Sequence, residues 1–144
     1  MPTAIDVAKY ILSLTDEDSG ELISHLKLQK LVYYAQGYCL AILGRPLFAD
    51  RIVAWQHGPV TLSVWEAYKG HGANPIPKPD GFDRNVIDDE ARGVVDEVYT
   101  VLGQYSAWKL RNMTHEEAPW ANVEINEEIT PAAMTDFFRG QIVA

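Results

Sequence analysis

Apolar positions recur at three- and four-residue steps along most of the chain, which predicts a mainly helical fold. The longest stripe comprises Leu28, Leu31, Val32, Ala35, Tyr38, Cys39 and Ile42. Ser24 has the chemistry of its N-cap, and Gly44 followed by Arg45-Pro46 ends it. A helix of that length spans ~30 Å, and burying its stripe contributes on the order of 10 kcal/mol. It is the expected core helix. Tyr34 falls just off the stripe and is expected to face outward.

The same spacing places a first helix over Ala4–Leu14, capped by Thr3 with Asp6 in its first turn, followed by an acidic loop from Thr15 to Gly20. A further long helix starts at Asp88 or Asp89, with Ala91, Val94, Val95, Val98 and Leu102 inward. Shorter helices are expected over Ala107–Met113 and after Thr130-Pro131, the last one burying Met134, Phe137 and Phe138. Arg51–Trp55 is short, β-branched and flanked by breakers, so it reads as a strand, and Glu124–Ile129 reads as a second. His57-Gly58-Pro59 reads as a turn, with Pro59-Val60-Thr61 opening a helix that reaches Lys69. The three prolines of ANPIPKPDG require an extended loop. No repeat or linker divides the chain. The expectation is one compact α+β domain over residues 1–144, mainly helical, with a small element of two or three strands.

Composition narrows the function classes. The chain has 144 residues and a net charge of −8, from twenty acidic and twelve basic side chains. The charge is uneven: Leu22–Phe82 holds six basic residues against three acidic, leaving the remainder at −11. Without a dense Lys/Arg patch the chain is a poor match for nucleic acid, whose binding rests on neutralising phosphates. An acidic surface serves solubility or steers a basic partner. Cys39 is the single cysteine, so no internal disulfide forms, which suits a reducing cytoplasm. The N-terminus carries Asp6 and Lys9 within its apolar part, unlike a signal peptide, and no apolar run approaches the ~20 residues of a membrane span. The chain is expected to be cytoplasmic, without membrane contact.

Candidate catalytic groups do not assemble into a set. His25, His57, His71 and His115 form no i, i+4 pair, and there is neither HExxH nor CxxC, so no metal site is expected. Cys39 lies on the apolar stripe, where a buried structural thiol is expected and not a nucleophile. His115-Glu116-Glu117 lacks an accompanying nucleophile, and its two carboxylates read as solvated loop residues. Gly70-His71-Gly72 has none of the framing of a phosphate loop. No catalytic residue and no cofactor is assigned. What remains is aromatic: Tyr33 and Tyr34 on the long helix, and Trp55, Trp65, Tyr68, Trp108 and Trp120 near turns. Tyrosine and tryptophan commonly anchor interfaces, although each also serves a core. Tyr34 together with Trp65 and Tyr68, which share one helical face, are the candidate partner-binding residues.

Three separated segments carry a specific resemblance. Lys27-Leu28-Gln29-Lys30-Leu31-Val32-Tyr33-Tyr34-Ala35-Gln36 comes first; Pro46-Leu47-Phe48, Trp55, His57-Gly58-Pro59-Val60 and Tyr68 follow; Thr114-His115 and Pro119-Trp120 come last. In this order and spacing the chain resembles the Panacea domain family of SocA-like antitoxins, whose relatives are grouped as phage-associated proteins. The resemblance runs from about Lys27 to Trp120 and differs only in the ANPIPKPDG loop. It implies an antitoxin that neutralises a cognate toxin, encoded by the adjacent gene, through protein–protein contact. Delivery of that toxin to a cellular protease is the alternative, and a small metal-dependent hydrolase built on His57, His71 or His115 with Glu116 is the rival from another class. The family motif residues Lys27, Gln29, Lys30, Tyr33, Trp55, His57, Gly58, Pro59, Val60, Thr114, His115 and Trp120 are read as structural or binding. A structural link between the last two motifs is favoured, with His115 as a partner for His57.

Overall fold

The computed structural model describes residues 1–16, 18 and 22–142. The expected acidic loop from Thr15 to Gly20 lies partly outside the described residues. Among the described residues there are seven α-helices and one three-stranded antiparallel sheet, the α+β class the spacing predicts.

Side-chain caps set most helix starts. Thr3 and Asp6 form a reciprocal capping box on α1, Ala4–Ser13. Ser24 accepts from the Lys27 backbone N–H to open α2, His25–Leu43, which Gly44 closes in the left-handed conformation. Asp88 caps α4, Asp89–Leu102; Ser106 caps α5, Ala107–His115; Thr130 caps α7, Pro131–Arg139. A further short helix, α6, Ala118–Ala121, was not expected from the sequence. The proline loop is anchored where Ile76 N–H donates to the Ile23 carbonyl at 2.9 Å.

Helix α2 runs through the centre, packed against α1, α4, α5 and α7. It is therefore buried on nearly every side, and a single stripe does not describe it. Tyr34, expected to face outward, is only 2% exposed, whereas Ile42, expected inward, is 53% exposed because α2 emerges from the core near its end. Phe138 of α7 lies so close to Gly37 that a side chain at 37 would collide with its ring. Met134 and Phe138 are buried as expected, while Phe137 is half-buried.

The segment after Trp55 does not start a helix. Strands β1, Ile52–Trp55, and β2, Gly58–Thr61, form a hairpin with Trp55 opposite Gly58 and a two-residue turn at Gln56-His57. Helix α3 begins only at Leu62 and ends at Tyr68. Gly58 has φ +109°, which no helix start adopts, and this is the reason for the correction. On the other side of β1, β3 is just Glu128–Ile129. The chain before it turns through Asn126 at φ +76°, so the strand expected from Glu124 is cut short.

Candidate functional site: a hairpin clasped by two motifs beside an aromatic cleft

Burial of polar side chains explains the first motif. Gln29, Lys30 and Gln36 are almost wholly buried on α2. Each clamps backbone that would otherwise be left unpaired. Gln36 accepts from the N–H groups of Leu47 (2.7 Å) and Phe48 (3.2 Å), and its amide donates to the Phe48 carbonyl at 2.8 Å. Gln29 accepts from Thr61 N–H at 2.9 Å and donates to the Thr61 carbonyl at 3.3 Å. Lys30 Nζ donates to the Pro59 carbonyl at 2.8 Å. These last two residues take the backbone groups on the outer edge of β2, where another strand would otherwise pair. Lys27 Nζ reaches the Gly103 carbonyl at 2.5 Å, tying α2 to the end of α4.

Gly58 sits where the motifs converge. A Cβ there would lie 2.7 Å from Thr114 Oγ1 and 2.8 Å from Lys30 Cε, so the hairpin closes directly on α2 and α5. Thr114 is held in place by donating to the Arg111 carbonyl at 2.7 Å. Trp120 Nε1 donates to the Trp55 carbonyl at 2.8 Å, and the His115 ring stacks on Trp120 at 4.0 Å while bonding the Gln56 backbone. Residues of the first and third motifs thus grip the hairpin, which itself carries the second. The expected His57–His115 contact is not the link. His57 is exposed, and its Nδ1 accepts from Arg111 Nε at 3.4 Å, whereas His115 turns inward to the Gln56 backbone.

Burial sets the electrostatics. It lowers Lys30 to about 7, helped by the Arg111 charge, and it lowers His25 and His115 as well. The neutral His25 ring accepts from the Gln29 amide at 3.0 Å. Glu117, read from sequence as a solvated carboxylate, instead accepts from the Tyr34 hydroxyl at 2.8 Å, and burial raises it to about 7. Burial, then the Glu117 charge and that hydrogen bond, push the Tyr34 phenol upward. Cys39 is 1% exposed with its thiol pushed up to about 12, the behaviour of a core residue. Among the described residues no three His, Cys, Asp or Glu side chains converge as a metal site.

Beside the hairpin lies an open cleft of about 520 Å3. Its walls include Trp55 and Trp65, packed edge to face at 5.4 Å, together with His25, His57, Val60 and Ile125. Trp65 is half-buried there. Tyr68 is also half-buried, tilted against His25 at 6.4 Å, and does not line the cleft. Tyr33 packs into the core against Phe138 at 5.6 Å. The structure therefore separates the three proposed partner-binding residues: Trp65 faces the cleft, Tyr68 flanks it, and Tyr34 is interior.

Two residues complete this face: Trp108, noted in the sequence only as one of the aromatics near turns, and Arg111, which sequence reasoning left out. Trp108 is 55% exposed, and the Arg111 guanidinium lies 4.5 Å above its ring. Both are on α5, one turn apart, with His57 of the hairpin 5.8 Å from Trp108. The i, i+3 spacing of a tryptophan and an arginine was the available signal.

Comparison with known proteins follows the same segments. The curated antitoxin SocA of Caulobacter vibrioides (strain NA1000 / CB15N) is 28% identical over 165 aligned positions, covering 99% of this chain and 87% of the relative. No solved structure gives a significant match. The family model described as "Antitoxin SocA-like, Panacea domain" matches residues 28–121. That span covers more than half of the chain and takes in the clasped hairpin and the residues that grip it, and the protein belongs to the family of SocA-like antitoxins with a Panacea domain.

Proposed function

We propose that this protein neutralises its toxin by binding it directly, through the face formed by the cleft, His57, Trp108 and Arg111. The observation that carries this reading is the division of labour among the aromatic and motif residues. Gln29, Lys30, Gly58, Thr114, His115 and Trp120 are committed to holding the hairpin. Trp108, Trp65 and His57 are left with area to offer a partner. Tryptophan and arginine are the residue types that most often dominate binding energy. The toxin is expected to be the product of an adjacent gene, acting with this protein in the cytoplasm.

Expression of the adjacent gene product alone should arrest growth, and co-expression of this protein should restore it. The purified pair should form a complex that Trp108→Ala weakens. A neighbour that is harmless at high expression would remove the main support for this reading. Rescue that vanishes on deleting a cellular protease would favour delivery for degradation over masking.

A further inference from the structure

Among the described residues no carboxylate lies within 4 Å of the Arg111 guanidinium. Its polar and aromatic partners among the described residues are His57 Nδ1 at 3.4 Å, Asn112 Oδ1 at 2.9 Å, and the face of Trp108 at 4.5 Å. By contrast Arg45 and Arg51 each meet a carboxylate within 4 Å. These contacts fix the plane of the guanidinium but use only Nε and one N–H of Nη1, leaving the Nη2 side of the fork without a hydrogen bond among the described residues. The ionisable residues lining the adjoining cleft are His25, Lys30 and His57, all bases, in a chain of net charge −8. The positive charge is felt by its neighbours, since Arg111 contributes to lowering both Lys30 and His115.

We infer that Arg111, seated on Trp108 and oriented by His57, is the docking point for an aspartate or glutamate side chain of the partner protein. The inference rests on the direct-binding reading and adds the chemistry of the contact. A planar guanidinium held on an aromatic face is preorganised for a carboxylate, so little side-chain freedom is lost on pairing. A segment with an acidic side chain beside apolar ones matches both the free fork and the aromatic walls of the cleft. Nucleic acid is a poorer match, because it requires several phosphate contacts and this face presents one half-buried arginine.

The test uses the whole protein, with acetyl-tetraglutamate amide as probe and acetyl-tetraglutamine amide and inorganic phosphate as controls. NMR would follow the Arg111 Nε–H and the Trp108 indole N–H. The glutamate peptide should shift both resonances saturably, with at least five-fold weaker response to the glutamine peptide. Arg111→Gln should abolish the Trp108 shift at an unchanged melting temperature, and Arg111→Lys should retain part of it. Equal response to both peptides, no response, or persistence in Arg111→Gln would overturn the inference. Phosphate acting as strongly as tetraglutamate would show an unselective anion site and also overturn it. With the toxin in hand, Arg111→Gln should raise Kd at least ten-fold. If toxin binding and growth rescue survive that change intact, the acidic contact is wrong while the direct-binding reading stands. A harmless neighbouring gene would instead defeat the antitoxin pairing, and the peptide titration would still judge Arg111.

Discussion

Gly58 and Lys30 leave no room between them: a Cβ on Gly58 would come within 2.8 Å of Lys30 Cε, and Lys30 Nζ holds the next carbonyl, that of Pro59, at 2.8 Å. Gly58 also has φ +109°, which L side chains rarely adopt. Strain and collision therefore act together in Gly58→Ala. It is expected to cost about 3 kcal/mol or more of folding stability. Urea unfolding of the variant measures this, and an unchanged midpoint would mean the hairpin has slack that these distances deny.

Lys30 should make stability depend on pH in the neutral-to-alkaline range. Its folded value is about 7, against ~10.4 in an unfolded chain, so between those values the unfolded chain binds the extra proton. The contribution is present above ~10.4 and is lost as pH falls through about 7. Lys30→Met removes this titration. Relative to wild type, the variant should lose on the order of 3 kcal/mol as pH rises from 7 to 9.5. Parallel denaturation curves at both pH values check the difference, below the range where the tyrosines intervene.

Glu117 titrates in the opposite sense. Raised to about 7 from ~4.3, its contribution is complete below ~4.3 and disappears as pH rises through about 7. Glu117→Gln keeps an acceptor for the Tyr34 hydroxyl but removes the charge. Its stability relative to wild type should improve between pH 4.5 and pH 8 by on the order of 3 kcal/mol. A difference curve that is flat across this interval would show that the carboxyl is well solvated.

The helices were legible because capping and periodicity are local: Thr3, Ser24, Asp88 and Thr130 each accept the backbone N–H their positions imply. The hairpin was not. Proline at position 59 resembles a helix start, and Gln56-His57 is not a turn pair of the Asn-Gly kind. Pro59 is tolerated in β2 because an outer strand does not need its missing N–H, and its carbonyl is taken by Lys30 from 29 residues away. Tyr34 misled for a related reason. Stripe logic assumes burial from one side, and α2 is enclosed on several. The motif residues were recognisable as a set, but their clamping roles depend on pairings between distant segments. Trp108 and Arg111 escaped notice as a pair because a single exposed tryptophan in a sequence looks the same as a buried one.

Exposure and burial make opposite forecasts for two aromatic residues. Trp108→Ala should leave folding stability within ~0.5 kcal/mol of wild type while weakening toxin binding by ~2 kcal/mol or more. Tyr34→Ala should cost ~3–5 kcal/mol of folding stability, with binding reduced only as the unfolded fraction grows. Calorimetric melting and partner affinity on the same two proteins separate the roles, and a large melting shift in Trp108→Ala would contradict its placement at the surface.

Cys39 is expected to behave as packing. Cys39→Ser should lose roughly 1–3 kcal/mol by placing a hydroxyl in an apolar site, without a selective loss of neutralisation. In the native protein a thiol reagent should react slowly, at a rate that rises with denaturant. Rapid labelling without denaturant would contradict its 1% exposure.

The seat of Phe138 against Gly37 has a consequence for how the protein is made. These residues lie about a hundred positions apart, and the same ring closes over Tyr33, Tyr34 and Tyr38. During synthesis the central helix therefore emerges from the ribosome long before the ring that covers it, and its tyrosine face stays open to water until α7 follows. The native core is completed only once α7 has been translated, so a chain arrested before residue 138 leaves that side of α2 uncovered.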